Sequence, residues 1–311
     1  MYIGVEIGGT KQQVALVNDN GEIQSCLSEK VVLKEGAKDI LAWLKVHIKE
    51  LTDVCSEVRG IGVGFGGIVE TKEKRLTMSV QVKGWENFPM ESWMEEQFGK
   101  KTIVVNDTVA GGYAELKYGS GKRKKSFFYT NIGTGIGGVT FLNERPMDGI
   151  GYGCSYFGHT YVPVNGGYGK LENYCSGVAI EKRMRKPGYV PNTSKLYEMC
   201  VGKTEDLTCL MLAEAALAKD TFAKEVIEDW AKVYSVAMSN YITLFSPELI
   251  ALGGGVSNMG DLILEPIRKY TDTLVFESAK DRYEIVKCQF GDEAVVVGAA
   301  LFARDGFDPI V

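Results

Sequence analysis

The feature that most constrains this chain is a pattern that occurs twice: an apolar strand, a glycine turn, a second apolar strand and a polar turn. In the first half, residues 2–7 stop at Gly8-Gly9, residues 14–17 follow, and Asn18-Asp19-Asn20-Gly21 closes the unit. In the second half, residues 127–132 run into Gly133-Thr134-Gly135, residues 139–142 follow, and Asn143-Glu144-Arg145-Pro146 closes it. Matching spacing with few identities marks an internal repeat of fold. The 311 residues leave room for two such units, each with its own core.

The rest of the pattern fills in an α/β layer around each repeat. Ile40, Leu44, Ile48 and Leu51 fall on one face of a helix over 37–51. A strand over 58–63 runs into Gly64-Phe65-Gly66-Gly67. Another over 102–105 delivers Asn106-Asp107, with a helix beginning near Val109. The composition breaks at Gly119-Ser120-Gly121 and the basic run Lys122, Arg123, Lys124, Lys125, which reads as a solvated loop. The domain boundary is placed there. Beyond it, a helix over 223–245 ends at Ser246-Pro247. A strand over 248–252 enters Gly253-Gly254-Gly255, and a short helix covers 298–303.

Gly62-x-Gly64-x-x-Gly67 and Gly133-x-Gly135-x-x-Gly138 both match a dinucleotide fingerprint, but neither opens a helix. Residues 4–11 nearly spell a P-loop, but end Thr-Lys instead of Lys-Thr and lie between strands. A hairpin tip that binds phosphate suits both turns better. Glycine permits φ > 0 and lets an anion approach without a Cβ in the way. Successive N–H groups then converge on phosphate oxygens. Thr10 and Thr134 would add hydroxyl donors and Lys11 a charge. A single glycine pair reads as a tight turn; two matching pairs plus Gly253-Gly254-Gly255 favour nucleotide binding.

On these residues the chain resembles the ROK family of sugar kinases and repressors, within the actin-like and hexokinase-like ATPase superfamily. The carrying segments are Gly4 through Lys11, Val105-Asn106-Asp107, Ile132 through Gly138, Phe157-Gly158-His159, Leu171 through Gly177, and Ser246 through Gly255. The resemblance implies an α/β fold of two ribonuclease-H-like lobes with a cleft between them. The small lobe would be residues 1–118 plus 296–311, the C-terminal helix returning to it, and the large lobe 119–295. It implies ATP and Mg²⁺ as cofactors, with Gly8, Gly9, Thr10, Lys11, Gly133, Thr134 and Gly135 at the phosphates and Gly253, Gly254 and Gly255 against the adenosine. Asp107 would be the general base. Gly67, Asn106, Asp107, Tyr156, His159 and Glu172 would line the sugar position. Glu6 could touch a metal-bound water or be structural; Asp107 could also cap the helix that follows it.

Three positions depart from the family pattern. Its cysteine cluster is Pro163, Asn165 and Lys170 here. Only His159 remains of a four-ligand set, so no zinc is expected, and His159 is either a sugar contact or a packed side chain left from that site. Tyr156 stands where the family has glutamate, exchanging an anionic acceptor for a bulky phenol. Gly66 stands where the family has proline.

The expected activity is ATP-dependent phosphorylation of a hexose or hexose derivative of the glucokinase, fructokinase or N-acetylhexosamine-kinase type. The alternative is a catalytically weak sugar sensor derived from such a kinase. A superfamily activator of a radical enzyme would need clustered cysteines for iron and sulfur, whereas the seven here are scattered and never spaced C-x-x-C. A net charge of −5 speaks against nucleic acid, as does a start at the first strand with no winged helix before it. No apolar run reaches spanning length and no leader pattern opens the chain. Free thiols suit a cytoplasmic protein. Members of the family are often dimers, so a homodimer is the assembly to test.

Overall fold

The computed structural model describes residues 1–32, 35–79, 81–152 and 155–311. Cys154, one of the seven cysteines, lies outside them. In chain order the elements are β1 (Tyr2–Ile7), β2 (Lys11–Val17), β3 (Ile23–Lys30), α1 (Ala37–Val54), β4 (Ile61–Phe65), β5 (Ile68–Glu70), β6 (Arg75–Met78), α2 (Met90–Phe98), β7 (Thr102–Asn106) and α3 (Asp107–Tyr118). There follow β8 (Ser126–Ile132), β9 (Ile136–Leu142), β10 (Arg145–Pro146), β11 (Tyr161–Val164), β12 (Gly167–Lys170), α4 (Glu172–Cys175), α5 (Gly177–Met184), α6 (Lys195–Met199) and α7 (Cys209–Leu217). The chain closes with α8 (Thr221–Phe245), β13 (Leu249–Gly253), α9 (Asp261–Leu274), β14 (Glu284–Lys287) and α10 (Ala294–Asp305).

The sheets are the repeat made visible. One has the order β3-β2-β1-β4-β7 and the other β10-β9-β8-β13-β14. In both, a hairpin and a third strand, long in the first sheet and two residues in the second, are extended on the other side by two later strands. The fold is mixed α/β, as the sequence pattern requires.

The chain packs as two compact units, one of residues 1–129, 139–155 and 289–311, the other of 130–138 and 156–288. The boundary placed at residue 119 follows the repeat, whereas this division follows packing, and the two differ at 119–129, 139–155 and 289–295.

In the first unit, Ile3, Val5 and Ile7 of β1 join Ile40, Leu44 and Ile48 of α1 in one core with Trp85 and Met94. Each such side chain contributes about 1.5–3 kcal/mol by leaving water. The opposite face of β1 and β4 carries glycine because α10 lies on it almost backbone to backbone. A Cβ on Gly4 would stand 1.8 Å from Val296 O, and one on Gly62 1.8 Å from Ala299 O. A Cβ on Gly298 would stand 1.7 Å from Ala110 O of α3. The helix expected over 298–303 begins earlier, at Ala294. After Ala294 its first turn is Val295-Val296-Val297, residues of weak intrinsic helix preference, and burial of Val296 and Val297 overrides it. The strand expected over 58–63 is Ile61–Phe65.

In the second unit α8 is the central helix. Trp230 stacks on Tyr234, whose ring also meets Phe157 edge-on. Trp230 Nε1 donates to Cys175 O at 2.8 Å. The six described cysteines are free thiols. No helix among the described residues is long and apolar enough to cross a membrane.

Candidate active site

Strands β1, β4 and β7 run parallel, with Ile7 beside Phe65 and Phe65 beside Asn106. Parallel pairing brings their C-terminal ends to one edge, where ligands of open α/β sheets bind. Three sequence-predicted segments therefore meet there: Gly8 to Lys11, Gly66-Gly67 and Asn106-Asp107.

The first segment is a tight turn in which Gly8 N donates to Lys11 O at 3.0 Å, leaving Gly9 and Thr10 at the tip. Gly66 is the piece that lets the others close up. Its N–H donates to Ile7 O at 2.8 Å, a bond no proline could make. A Cβ there would lie 3.3 Å from Asp107 Oδ2 and 3.4 Å from Gly8 Cα. The carboxylate and the glycine turn thus both crowd the space a side chain at Gly66 would fill.

Asn106 is the N-cap of α3, its Oδ1 accepting from Thr108 N at 2.9 Å. Its Nδ2 donates to Gly67 O at 3.0 Å, holding the glycine loop. The helix begins at Asp107, not near Val109, because this cap is in place. Asp107 Oδ1 also accepts from Thr108 N, at 2.7 Å, leaving Oδ2 turned toward Gly66. Burial pushes the Asp107 carboxyl up to about 6 against the pull of those hydrogen bonds. Its protonation thus changes close to neutrality.

Lys11 does not stand alone. Its Nζ lies 3.3 Å from Glu6 Oε2 and donates to Asp292 O at 3.1 Å. With its nitrogen turned toward them, the Gln13 amide donates to Glu6 Oε2 at 2.9 Å and Asp292 O at 3.2 Å. Burial raises Glu6 to about 7; Lys11 opposes this and the Asp107 charge adds to it. Sequence reading missed two further contacts. The Gln81 side chain covers Gly9, whose Cβ would fall 1.3 Å from its Oε1. Ser79 Oγ donates to Gly66 O at 3.4 Å. Neither has a sequence signal, since both belong to an irregular loop placed by packing.

The second unit gathers the other predicted residues. In the β8–β9 turn Gly133 N donates to Gly135 O at 2.9 Å, and Gly133 O accepts from Gly177 N at 2.8 Å. That bond brings the first residue of α5 to the turn. Ser176 caps the helix by accepting from Ala179 N. Thr134 is exposed at the tip. Gly254 has φ +80° and approaches Ile132, whose backbone would be 2.7 Å from a Cβ, while Gly255 faces open space. Gly253-Gly254-Gly255 therefore lies beside the strand that carries the turn.

Gly158 is tight against the same hairpin, a Cβ there falling 2.3 Å from Ile136 O. This seats the turn over 157–159 and presents His159, whose Nε2 lies 3.2 Å from Glu172 Oε1. Glu172 Oε2 faces Gly135, 3.2 Å from where a Cβ would be. Tyr156 is 42% exposed, its ring edge-on to His159 at 5.8 Å. Pro163, Asn165 and Lys170 fall on or beside the β11–β12 hairpin. Among the described residues no group of three or more His, Cys, Asp or Glu could hold a metal ion.

The ROK family model matches residues 2–306. The chain is 28% identical over 312 residues to a glucokinase of Thermotoga maritima, covering 97% of each. It is 25% identical over 315 residues to a putative xylose repressor of a Caldicellulosiruptor species, covering 96% of this chain and 76% of that one. Among solved structures it is similar to a ROK family glucokinase from Streptomyces griseus in complex with glucose and AMPPNP, with a TM-score of 0.86, 26% identity and coverage of 98% and 99%. On a match that spans nearly every residue, this chain belongs to the ROK family.

Proposed function

We propose that this protein is an ATP-dependent sugar kinase, transferring the terminal phosphoryl group of ATP to a hydroxyl of a hexose or hexose derivative. The observation that carries the reading is the meeting of Asp107 Oδ2 and the Gly8 turn at the space beside Gly66 that a side chain would fill. Phosphoryl transfer asks for placement and charge neutralisation more than covalent help. The hydroxyl oxygen bonds to the γ-phosphorus, the bond to the bridging oxygen breaks, and ADP leaves with that electron pair. Asp107 Oδ2 accepts the hydroxyl proton, a contribution of about 10²- to 10⁴-fold. The acidic pair Glu6 and Asp107 and the tip donors of the turn suit a metal–nucleotide; Mg²⁺ bound with ATP supplies charge neutralisation at the phosphates.

Gly8, Gly9, Thr10 and Lys11 with Gly133, Thr134 and Gly135 are read as phosphate contacts, and Gly253, Gly254 and Gly255 as the adenosine side. Gly67, Asn106, Tyr156, His159 and Glu172 are read as the sugar side. Functional lobes of 1–118 with 296–311 and of 119–295, a cytoplasmic location and a homodimer belong to the same reading. Relatives called glucokinase and a relative solved with glucose and AMPPNP support it. The repressor relative, together with Tyr156, favours a second reading, a sugar sensor with little turnover. ADP release measured across hexoses, hexosamines and N-acetylated sugars separates them: sugar-dependent turnover that D107N removes supports the kinase, and ATP binding with no sugar-stimulated turnover supports the sensor.

A further inference from the structure

Lys170 has no role in the reading so far, yet it is placed against the sugar-side histidine. The β11–β12 hairpin pairs Tyr161 with Lys170, and the next bond of the ladder runs from Leu171 N to Thr160 O at 2.8 Å. This register brings Lys170 alongside the turn over 157–159. Its Nζ lies 3.4 Å from His159 Nδ1, while Nε2 of the same ring lies 3.2 Å from Glu172 Oε1.

We propose that Lys170 is a positioning residue that fixes the tautomer of His159 and through it holds Glu172 for the sugar. An ammonium has protons to donate and no lone pair. Facing it, Nδ1 must offer its own lone pair. The ring proton then resides on Nε2, aimed at Glu172 Oε1. One carboxylate oxygen is thereby occupied, and the other, Oε2, faces the Gly135 turn. In the opposite tautomer the Nε2 lone pair would confront the carboxylate and push it away. His47 provides an internal contrast: its Nδ1 faces Glu50 Oε2 at 2.8 Å, so the proton there belongs on Nδ1. These are the only two histidines in the sequence, and the structure assigns them opposite tautomers.

The consequence for the sugar rests on the kinase reading; the tautomer does not. Nitrogen-15 histidine spectra of the full-length protein at pH 8 read the tautomer directly. Wild type is expected to show Nε2–H at His159 and Nδ1–H at His47. K170M should shift His159 toward a mixture while His47 stays put, and K170R should restore the wild-type pattern. Loss of a charge-assisted hydrogen bond corresponds to about a tenfold rise in sugar KM, with ATP KM unchanged and K170R near wild type. A wild-type His159 protonated on Nδ1, or one indifferent to K170M, overturns the proposal. So does a K170M tautomer shift with unchanged sugar affinity. If no sugar is turned over, calorimetric sugar binding replaces KM, and the kinase reading fails while the spectra still decide the role of Lys170.

Discussion

Replacing Asp107 by asparagine separates catalysis from folding at one residue. The amide oxygen of asparagine can still accept from Thr108 N, as Asp107 Oδ1 does at 2.7 Å, and the Asn106 cap is untouched. The start of α3 should therefore survive. What disappears is the base proposed at Oδ2, and turnover should fall by about 10²- to 10⁴-fold. The wild-type enzyme should lose activity in acid for the same reason. With the Asp107 carboxyl near 6, lowering the pH to 5 leaves about a tenth of it ionised, so kcat/KM should fall about tenfold below its alkaline plateau. Glu6, near 7, titrates beside it, and apparent values read from the profile belong to the pair. E6Q should leave a single break near 6.

Stability moves in the opposite direction. The folded carboxyl lies above its ordinary 3.8, so its contribution is fully present below that value and is lost as pH rises through about 6. Ionised Asp107 then costs the fold about 3 kcal/mol at neutral pH. D107N should be at least as stable as wild type at pH 7.5, and its advantage should shrink toward pH 4. Initial rates by coupled ADP release and urea midpoints at the two pH values test both statements. A variant that keeps more than a tenth of wild-type turnover, or a wild-type profile flat to pH 5, refutes Asp107 as the base.

Gly298→Ala forces α10 off α3, because a Cβ would meet Ala110 O at 1.7 Å; a loss of about 1–3 kcal/mol or more is expected in denaturant melts, and an unchanged midpoint would contradict the close packing. Glu115 is fully buried, its Oε1 accepting from Gln289 N and Phe290 N at 2.7 Å each and its Oε2 from Ser120 N and Oγ at 2.9 and 2.7 Å. Glu115→Ala orphans these donors at about 1–3 kcal/mol apiece, so reduced soluble yield and a lower melting temperature are expected; wild-type melting would show the donors find other partners. Elemental analysis of purified protein should find no stoichiometric zinc, and one tightly held equivalent would reverse that reading.

The interior carboxylate Glu115 shows where sequence reading stops. Nothing in Ala114-Glu115-Leu116 distinguishes a buried acceptor from an exposed helix residue. Its four donors come from a turn next in sequence and from a segment more than 170 positions away. Lys170 is similar. In the chain it is a departure from the family pattern, and only the hairpin register turns it toward His159. Gln81 and Ser79 are likewise ordinary polar residues until packing lays their loop over Gly9 and Gly66.

The two glycine turns were legible because their information is local. Strand periodicity, a turn residue tolerating φ > 0 and the spacing to the next strand lie within about fifteen residues. Their recurrence announced the repeat that the two sheet orders display. Asn106-Asp107 was legible for the same reason, as a polar pair at the end of an apolar strand. Pairing of β1 with β4 and of β4 with β7 decided that Asp107 and the Gly8 turn would meet at Gly66. So did the glycine faces that admit α10. Such meetings depend on contacts between segments distant in sequence, whose geometry is set by close packing. The sequence alone determined which residues could bind a phosphate or take a proton; the tertiary structure alone decided which of them stand together and which partners set their charge.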